Sequence, residues 1–202
     1  MAVSDFGISS VRSQVRNFLV DHRIRLTVGT YLATIVLDLC LRKQWQSARD
    51  WHDVACRAGF ALILCGLGLR SWAAGVLRKG RALTTTGPYR LCRHPLYLGT
   101  LSLLTGFALI VPDTVAGLVS VAVVAALSWA TIGREERRIA EKYGSAWEEY
   151  AARTPRLLPL RLPVGLGGGW SAAQWLRSRE YNAWAAALAA LAALKLWREL
   201  LT

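Results

Sequence analysis

The sequence predicts an all-α, polytopic membrane protein with about five spans. Three observations carry this. Of the 202 residues 53% are hydrophobic, although the formal net charge is +12. The apolar residues are gathered into long runs, and the basic residues cluster between them. A basic soluble protein would point to nucleic acid, but apolar runs of this length point to a bilayer.

Five runs qualify as candidates: Leu26 to Leu41, Val54 to Leu77, Pro95 to Val111, Thr114 to Gly133 and Tyr181 to Trp197. Each lies in or near the roughly 17–25 apolar residues a helix needs to cross a bilayer. Leu26 to Leu41 is short and contains Asp38, and Tyr181 to Trp197 is alanine-rich. Residues 1–25 alternate charged and apolar side chains without a small-residue cleavage site, which predicts an amphipathic surface segment rather than a secretory signal. Residues 26–133 then form a four-helix membrane core, 134–180 a cytoplasmic helix and loop, and 181–197 a C-terminal helix. The whole chain, 1–202, reads as one domain.

Orientation follows the positive charges. Arg78, Lys79, Arg81, Arg90 and Arg93 fill one connection, and nine basic residues from Arg134 to Arg179 follow the fourth run. Pro112 and Asp113 alone join the third and fourth runs, which predicts a tight hairpin. Residues 78–94 and 134–180 therefore share one side, the cytoplasmic one. Arg42, Lys43 and Arg49 count against the same rule in the first hairpin. Past residue 154 prolines and glycines exclude a regular helix over "TPRLLPLRLPVGLGGGW". Cys40, Cys56, Cys65 and Cys92 are scattered, with no CxxC pair, and read as small hydrophobes rather than disulfide or zinc ligands. Neither a metal nor a nucleic acid is expected as a partner.

Two polar segments abut apolar runs. In "TTTGPYRLCRHPLYLG" Pro95 stands where a helix begins, its missing N–H being harmless there. Arg93 and His94 then lie at a helix N-terminus, where free amides and the helix dipole favour an anion. His94 and Tyr97 are three apart and share a face. Arginines and tyrosines also flank membrane helices for topology alone, which suffices for Arg90 or for Tyr89 taken singly.

In "GREERRIAEKYGSAWEEYAARTPRLLP", Glu136, Ala140, Tyr143, Trp147 and Tyr150 fall on one helical stripe. Glu135, Glu141, Glu148 and Glu149 fall elsewhere, and Glu135 is expected to face water. A carboxylate on an apolar face demands a partner: Arg93, His94 or a ligand. A purely structural Arg–Glu clamp between the segments is the alternative. Gly144 is unfavourable within a helix by about 1 kcal/mol against alanine, which predicts a break or a close backbone approach.

At these residues the chain resembles the isoprenylcysteine carboxyl methyltransferase family of integral-membrane enzymes. "GPYRLCRHPLYLG" is similar to its GPYxxxRHPxYxG motif, and "EERRIAEKYGSAWEEYAARTPRLLP" to its EExxLxxxFGxxYxxYxxxVPRxxP motif, so that residues 84 to 159 match in order. The resemblance implies S-adenosylmethionine (SAM) as cofactor and a methyl transfer to a lipophilic or lipidated acceptor. It puts His94, Pro95, Tyr97, Leu98 and Gly99 at the cofactor and gives Glu136, Tyr150 and Arg156 motif positions; Tyr89, Glu136, Trp147 and Tyr150 complete the expected cofactor residues, and Arg93, Glu136 and Arg156 are the expected catalytic set. Ile139, Tyr143 and Trp147 depart from the family's leucine, phenylalanine and first tyrosine; at Trp147 a hydroxyl is lost. The carboxylate of an isoprenylcysteine-like substrate leads among the acceptors, followed by a phosphatidylethanolamine amine and a small thiol. The end of the second segment is also similar to NADPH-dependent sterol reductases, although Thr100 and Arg156 depart from their pattern. A non-catalytic membrane module is the third alternative.

Overall fold

The structure, a computed structural model, describes residues 53–78, 82–111, 114–159 and 167–201. The surface segment 1–25, the run Leu26 to Leu41 and the Pro112–Asp113 link lie outside the described residues. Among those described the chain is all-helical: α1 (Val54–Val76), α2 (Pro95–Ile110), α3 (Thr114–Tyr143), α4 (Ser145–Arg153), α5 (Ala172–Arg177) and α6 (Tyr181–Leu201). A 3-10 turn, Gly87–Arg90, precedes α2.

Two of these helices, α1 and α3, are long and apolar enough to span a membrane, while Pro95–Ile110 and Tyr181–Leu196 are shorter apolar helices. Among the described residues, two of the five expected spans thus meet the length and composition of a crossing helix. Large apolar side chains such as Val54, Leu64, Val115, Val119 and Leu188 are exposed along these helices, as lipid contact requires. Apolar helices with this exposed surface support membrane association.

Glycines set the packing of α1 on α2. A Cβ on Gly59 would lie 2.7 Å from the Gly106 carbonyl oxygen, and one on Gly66 would lie 2.6 Å from that of Gly99. The two helices are antiparallel and touch backbone to backbone, the small-residue packing that apolar surroundings favour. Ser102 Oγ donates to the Leu62 carbonyl across the same seam at 2.9 Å. Cys56, Ile63, Leu67, Ile110 and Ala187 form the buried core, which joins α6 to this pair.

α3 continues without interruption from the apolar run through residues 134–143, as the sequence predicts. Gly144 then breaks the helix: its φ of 51° and ψ of −128° suit glycine, and no atom lies within 4 Å of a Cβ built there. The break, not a close approach, is what the glycine serves. Trp147 and Tyr150 consequently sit on a separate helix, α4, and not on one continuous stripe with Glu136. Helix α5 was not foreseen. Ser171 caps it by accepting from the Gln174 N–H, and Trp170 ahead of it packs on Gly75 and donates to the Ser71 carbonyl at 3.1 Å.

Candidate functional site

The two polar segments meet at one end of the helices. The Arg93 N–H donates to the Pro155 carbonyl at 2.8 Å, and the His94 N–H to the Arg156 carbonyl at 3.2 Å. Tyr150 Oη donates to the Tyr89 carbonyl at 2.7 Å. These bonds draw α4 and the chain after it against the start of α2. They also use amides at the entry to α2 that the sequence reading offered to an anion. The Arg93 and His94 amides are therefore not free for an anion.

Glu136 is buried at the centre of this junction. Its Oε1 lies 2.8 Å from Arg93 Nη1 and 3.2 Å from His94 Nε2, and its Oε2 lies 2.5 Å from Arg156 Nη2. The partner demanded by its position on the stripe is thus threefold. An ionised carboxylate only accepts, so His94 Nε2 carries the proton in this contact. Burial lowers the His94 pKa below the ordinary imidazole value, against the opposing pull of Glu135 and Glu136. Burial likewise raises the Tyr89 and Tyr150 hydroxyls, which keeps Tyr150 a donor. It pushes the Cys92 thiol to about 11, so that fully buried thiol is no nucleophile. Cys56 is buried as well, whereas Cys65 is exposed.

Beside the junction a cavity of about 610 Å³ opens between α2, α3 and α4. Tyr89, His94, Pro95, Tyr97, Trp147 and Tyr150, from the expected cofactor residues, line it together with Arg93 from the expected catalytic set. Glu136, Arg156, Leu98 and Gly99 do not. Gly99 instead serves the helix seam, since a Cβ there would lie 2.6 Å from Arg70 Cγ and 2.8 Å from the Gly66 carbonyl oxygen. Glu136 and Arg156 stand behind the wall, with Arg156 also over the Trp129 ring at 4.8 Å.

Sequence reasoning missed three features of the wall. Glu135, assigned to water, is exposed but lines the cavity, and Tyr97 Oη donates to it at 3.4 Å. Thr131, Ser128, Leu127 and Val124 carry the lining from Glu135 along α3 into its apolar stretch. Arg70 lines it from α1, and its charge inside the run Val54 to Leu77 was the available signal.

The cavity has the size and mixed lining of a small-molecule site. One observation fits an anionic ligand group: Arg93 Nε is buried with no hydrogen-bond partner among the described residues. The Arg93 guanidinium also lies 5.7 Å from the Trp147 ring centroid, which fixes both. Among the described residues no three His, Cys, Asp or Glu side chains form a set that could hold a metal ion.

Two curated relatives are metal-resistance proteins. A nickel-cobalt-cadmium resistance protein of Alcaligenes xylosoxydans xylosoxydans is 29% identical over 73% of this chain and 69% of its own length. A cobalt-zinc-cadmium resistance protein of Cupriavidus metallidurans is 31% identical over 71% of this chain and 66% of its own. The chain thus spans about two-thirds of each relative. No solved structure gives a significant match. Residues 55–146, which include α1, α2 and the buried Glu136, match the phospholipid methyltransferase family. That stretch, a little under half of the chain, is thereby similar to the isoprenylcysteine carboxyl methyltransferase-like group of integral-membrane methyltransferases.

Proposed function

We propose that the protein transfers a methyl group from SAM to a lipophilic acceptor held in the membrane, with the cavity on the cytoplasmic side. The observation that carries this reading is the cavity itself. It is polar and aromatic between the two motif segments and runs along α3 past Thr131 and Ser128 to the apolar Leu127 and Val124. Such a graded lining suits a polar donor at one end and a lipid chain at the other.

When bound, SAM would supply an electrophilic methyl on a sulfonium, for in-line displacement. The chain's own task is then to align the partners and exclude water. Arg93 Nε offers a free buried donor to a carboxylate. Trp147, Tyr97, Tyr143 and Tyr150 offer ring faces to a cation. Glu135, on the wall, accepts from an amine or hydroxyls. Glu136 acts one layer back, holding Arg93, His94 and Arg156 in register.

A carboxylate acceptor of the isoprenylcysteine kind is already nucleophilic at neutral pH and needs only placement. A second reading, methylation of a phospholipid amine, draws on the family that residues 55–146 match. It needs a base, and Glu135 is the carboxylate on the wall. The resistance named for the two relatives would then act through the methylated product rather than a metal bound here.

Membranes containing the protein, incubated with SAM labelled in the methyl group, distinguish these acceptors. Base-labile label marks an ester, and base-stable label marks an amine or thioether. No transfer to any membrane component overturns the methyltransferase reading.

A further inference from the structure

A second ion pair stands apart from the Glu136 junction. Arg70 Nε donates to Glu180 Oε1 at 2.6 Å and Nη2 to Oε2 at 3.1 Å, a two-pronged contact. Nη1 donates to Thr100 Oγ1 at 2.5 Å and reaches the Leu96 carbonyl at 3.5 Å. The side chains are 23% and 5% exposed. Charges in apolar helices are expensive to maintain, and a helix clamp alone would not require one of them to reach a cavity.

Arg70 does reach it: the guanidinium-bearing residue lines the cavity, whereas Glu180 does not. The arrangement repeats that of Arg93, on the wall, with Glu136 behind it. The wall therefore presents two arginines and one carboxylate, Glu135, and each arginine is held by an acid outside the lining. A guanidinium has five N–H donors. The four acceptors around Arg70 leave one free, and the 3.5 Å contact to Leu96 is at the limit of a hydrogen bond.

Position adds to this. Arg70 meets the first two turns of α2 at Leu96 and Thr100, further into the helix than His94. Leu96 and Thr100 line the cavity with Arg70, and Leu127 and Val124 give it apolar lining from α3. A lipophilic acceptor reaching the donor from the apolar end must leave its headgroup at this level.

We propose that Arg70 binds the anionic group of the acceptor, a carboxylate or a phosphate, and that Glu180 is the positioning residue that holds its guanidinium. This rests on the methyltransferase reading and narrows its acceptor to an anionic amphiphile.

The test uses detergent-purified protein and three single-chain probes: dodecanoate, dodecyl phosphate and dodecylamine. With SAM saturating, each competes against methyl transfer to a membrane-lipid extract. The two anions compete about tenfold better than the amine in the wild type, and Arg70→Gln abolishes that advantage. Arg70→Lys restores part of it, because charge survives while the fork is lost. Glu180→Gln raises the acceptor KM with little change in kcat, which a merely structural role would not do. SAM affinity in all three variants stays within about twofold of wild type.

The proposal is overturned if the amine competes as well as the anions, or if Arg70→Gln weakens SAM binding in step with the acceptor KM. Should Arg70→Gln fail to fold, the wild-type ranking of the probes and Arg70→Lys decide. Calorimetric binding of dodecanoate to wild type and Arg70→Lys without SAM reads the anion site independently of methyl transfer. It therefore separates failure of this site from failure of the methyltransferase reading. Base-labile label then assigns the anion to the methylated carboxylate, and base-stable label to a phosphate beside a methylated amine.

Discussion

Glu136 and Glu135 are neighbours in sequence with different work. Glu136 is buried among Arg93, His94 and Arg156, while Glu135 is exposed at the cavity and meets Tyr97. Removing one partner of a buried ion pair costs on the order of 3–5 kcal/mol, because the other charge is left uncompensated. Glu136→Gln is therefore expected to lower both the thermal midpoint in detergent and SAM affinity. Glu135→Gln should leave the midpoint in place and weaken SAM alone. Identical melting behaviour of the two variants would refute this division. The burial of Glu136 was legible, since the 100° periodicity sets it with Tyr143 and away from Glu135. That Glu135 also faces a cavity was not, because periodicity locates a face without saying whether water or a ligand lies beyond it.

His94 supplies a pH prediction at the same scale. Its folded pKa is depressed, so between that value and the unfolded value of about 6.5 the unfolded chain binds more protons. Stability from the buried neutral ring is thus complete above about pH 6.5 and declines as pH falls through that value. Arg93 opposes the protonated ring, whereas Glu135 and Glu136 favour it. Thermal midpoints from about pH 8 to pH 5 should fall more steeply for the wild type than for His94→Asn. Parallel curves would show that His94 does not titrate in this way.

Among the elements, the α1–α2 seam is the most sharply testable. A Cβ on Gly66 would press on the Gly99 carbonyl at 2.6 Å and the Leu103 amide nitrogen at 2.8 Å, both backbone atoms that cannot swing away. Gly68, two residues on, has nothing within 4 Å of a Cβ. Gly66→Ala should destabilise by about 1–3 kcal/mol through overpacking. Gly68→Ala should be neutral or stabilising by up to about 1 kcal/mol from helix propensity. Detergent melts that rank the two variants the other way would contradict the seam. The signal lay in the sequence as glycines seven apart on each helix, Gly59 with Gly66 and Gly99 with Gly106. It passed unread because the two pairs gain meaning only when the helices are set antiparallel. α3 and its extension past the apolar run were readable from continuous periodicity, and Gly144 from its cost in a helix. Helix α5 is six residues long and held by Trp170 and Ser178 against α1, contacts that no local pattern encodes.

At the scale of the molecule, the two motif segments are distant in sequence but joined by backbone bonds from residues 93 and 94 to 155 and 156. Their order and spacing carried the family resemblance before any geometry did. What they could not carry was Arg70 and Glu180, which lie 110 residues apart and outside both motifs. The motifs marked the polar end of the cavity; the fold supplies its continuation along α3 to Leu127 and Val124. The claim on which the rest depends is that this cavity binds a methyl donor and not a nicotinamide. Calorimetric titration of the detergent-purified wild-type protein with SAM, and separately with NADPH, tests it most directly. The account predicts saturable binding of SAM at one site per chain, lost in Arg93→Gln, and no heat of binding with NADPH. Saturable NADPH binding with none for SAM would contradict it.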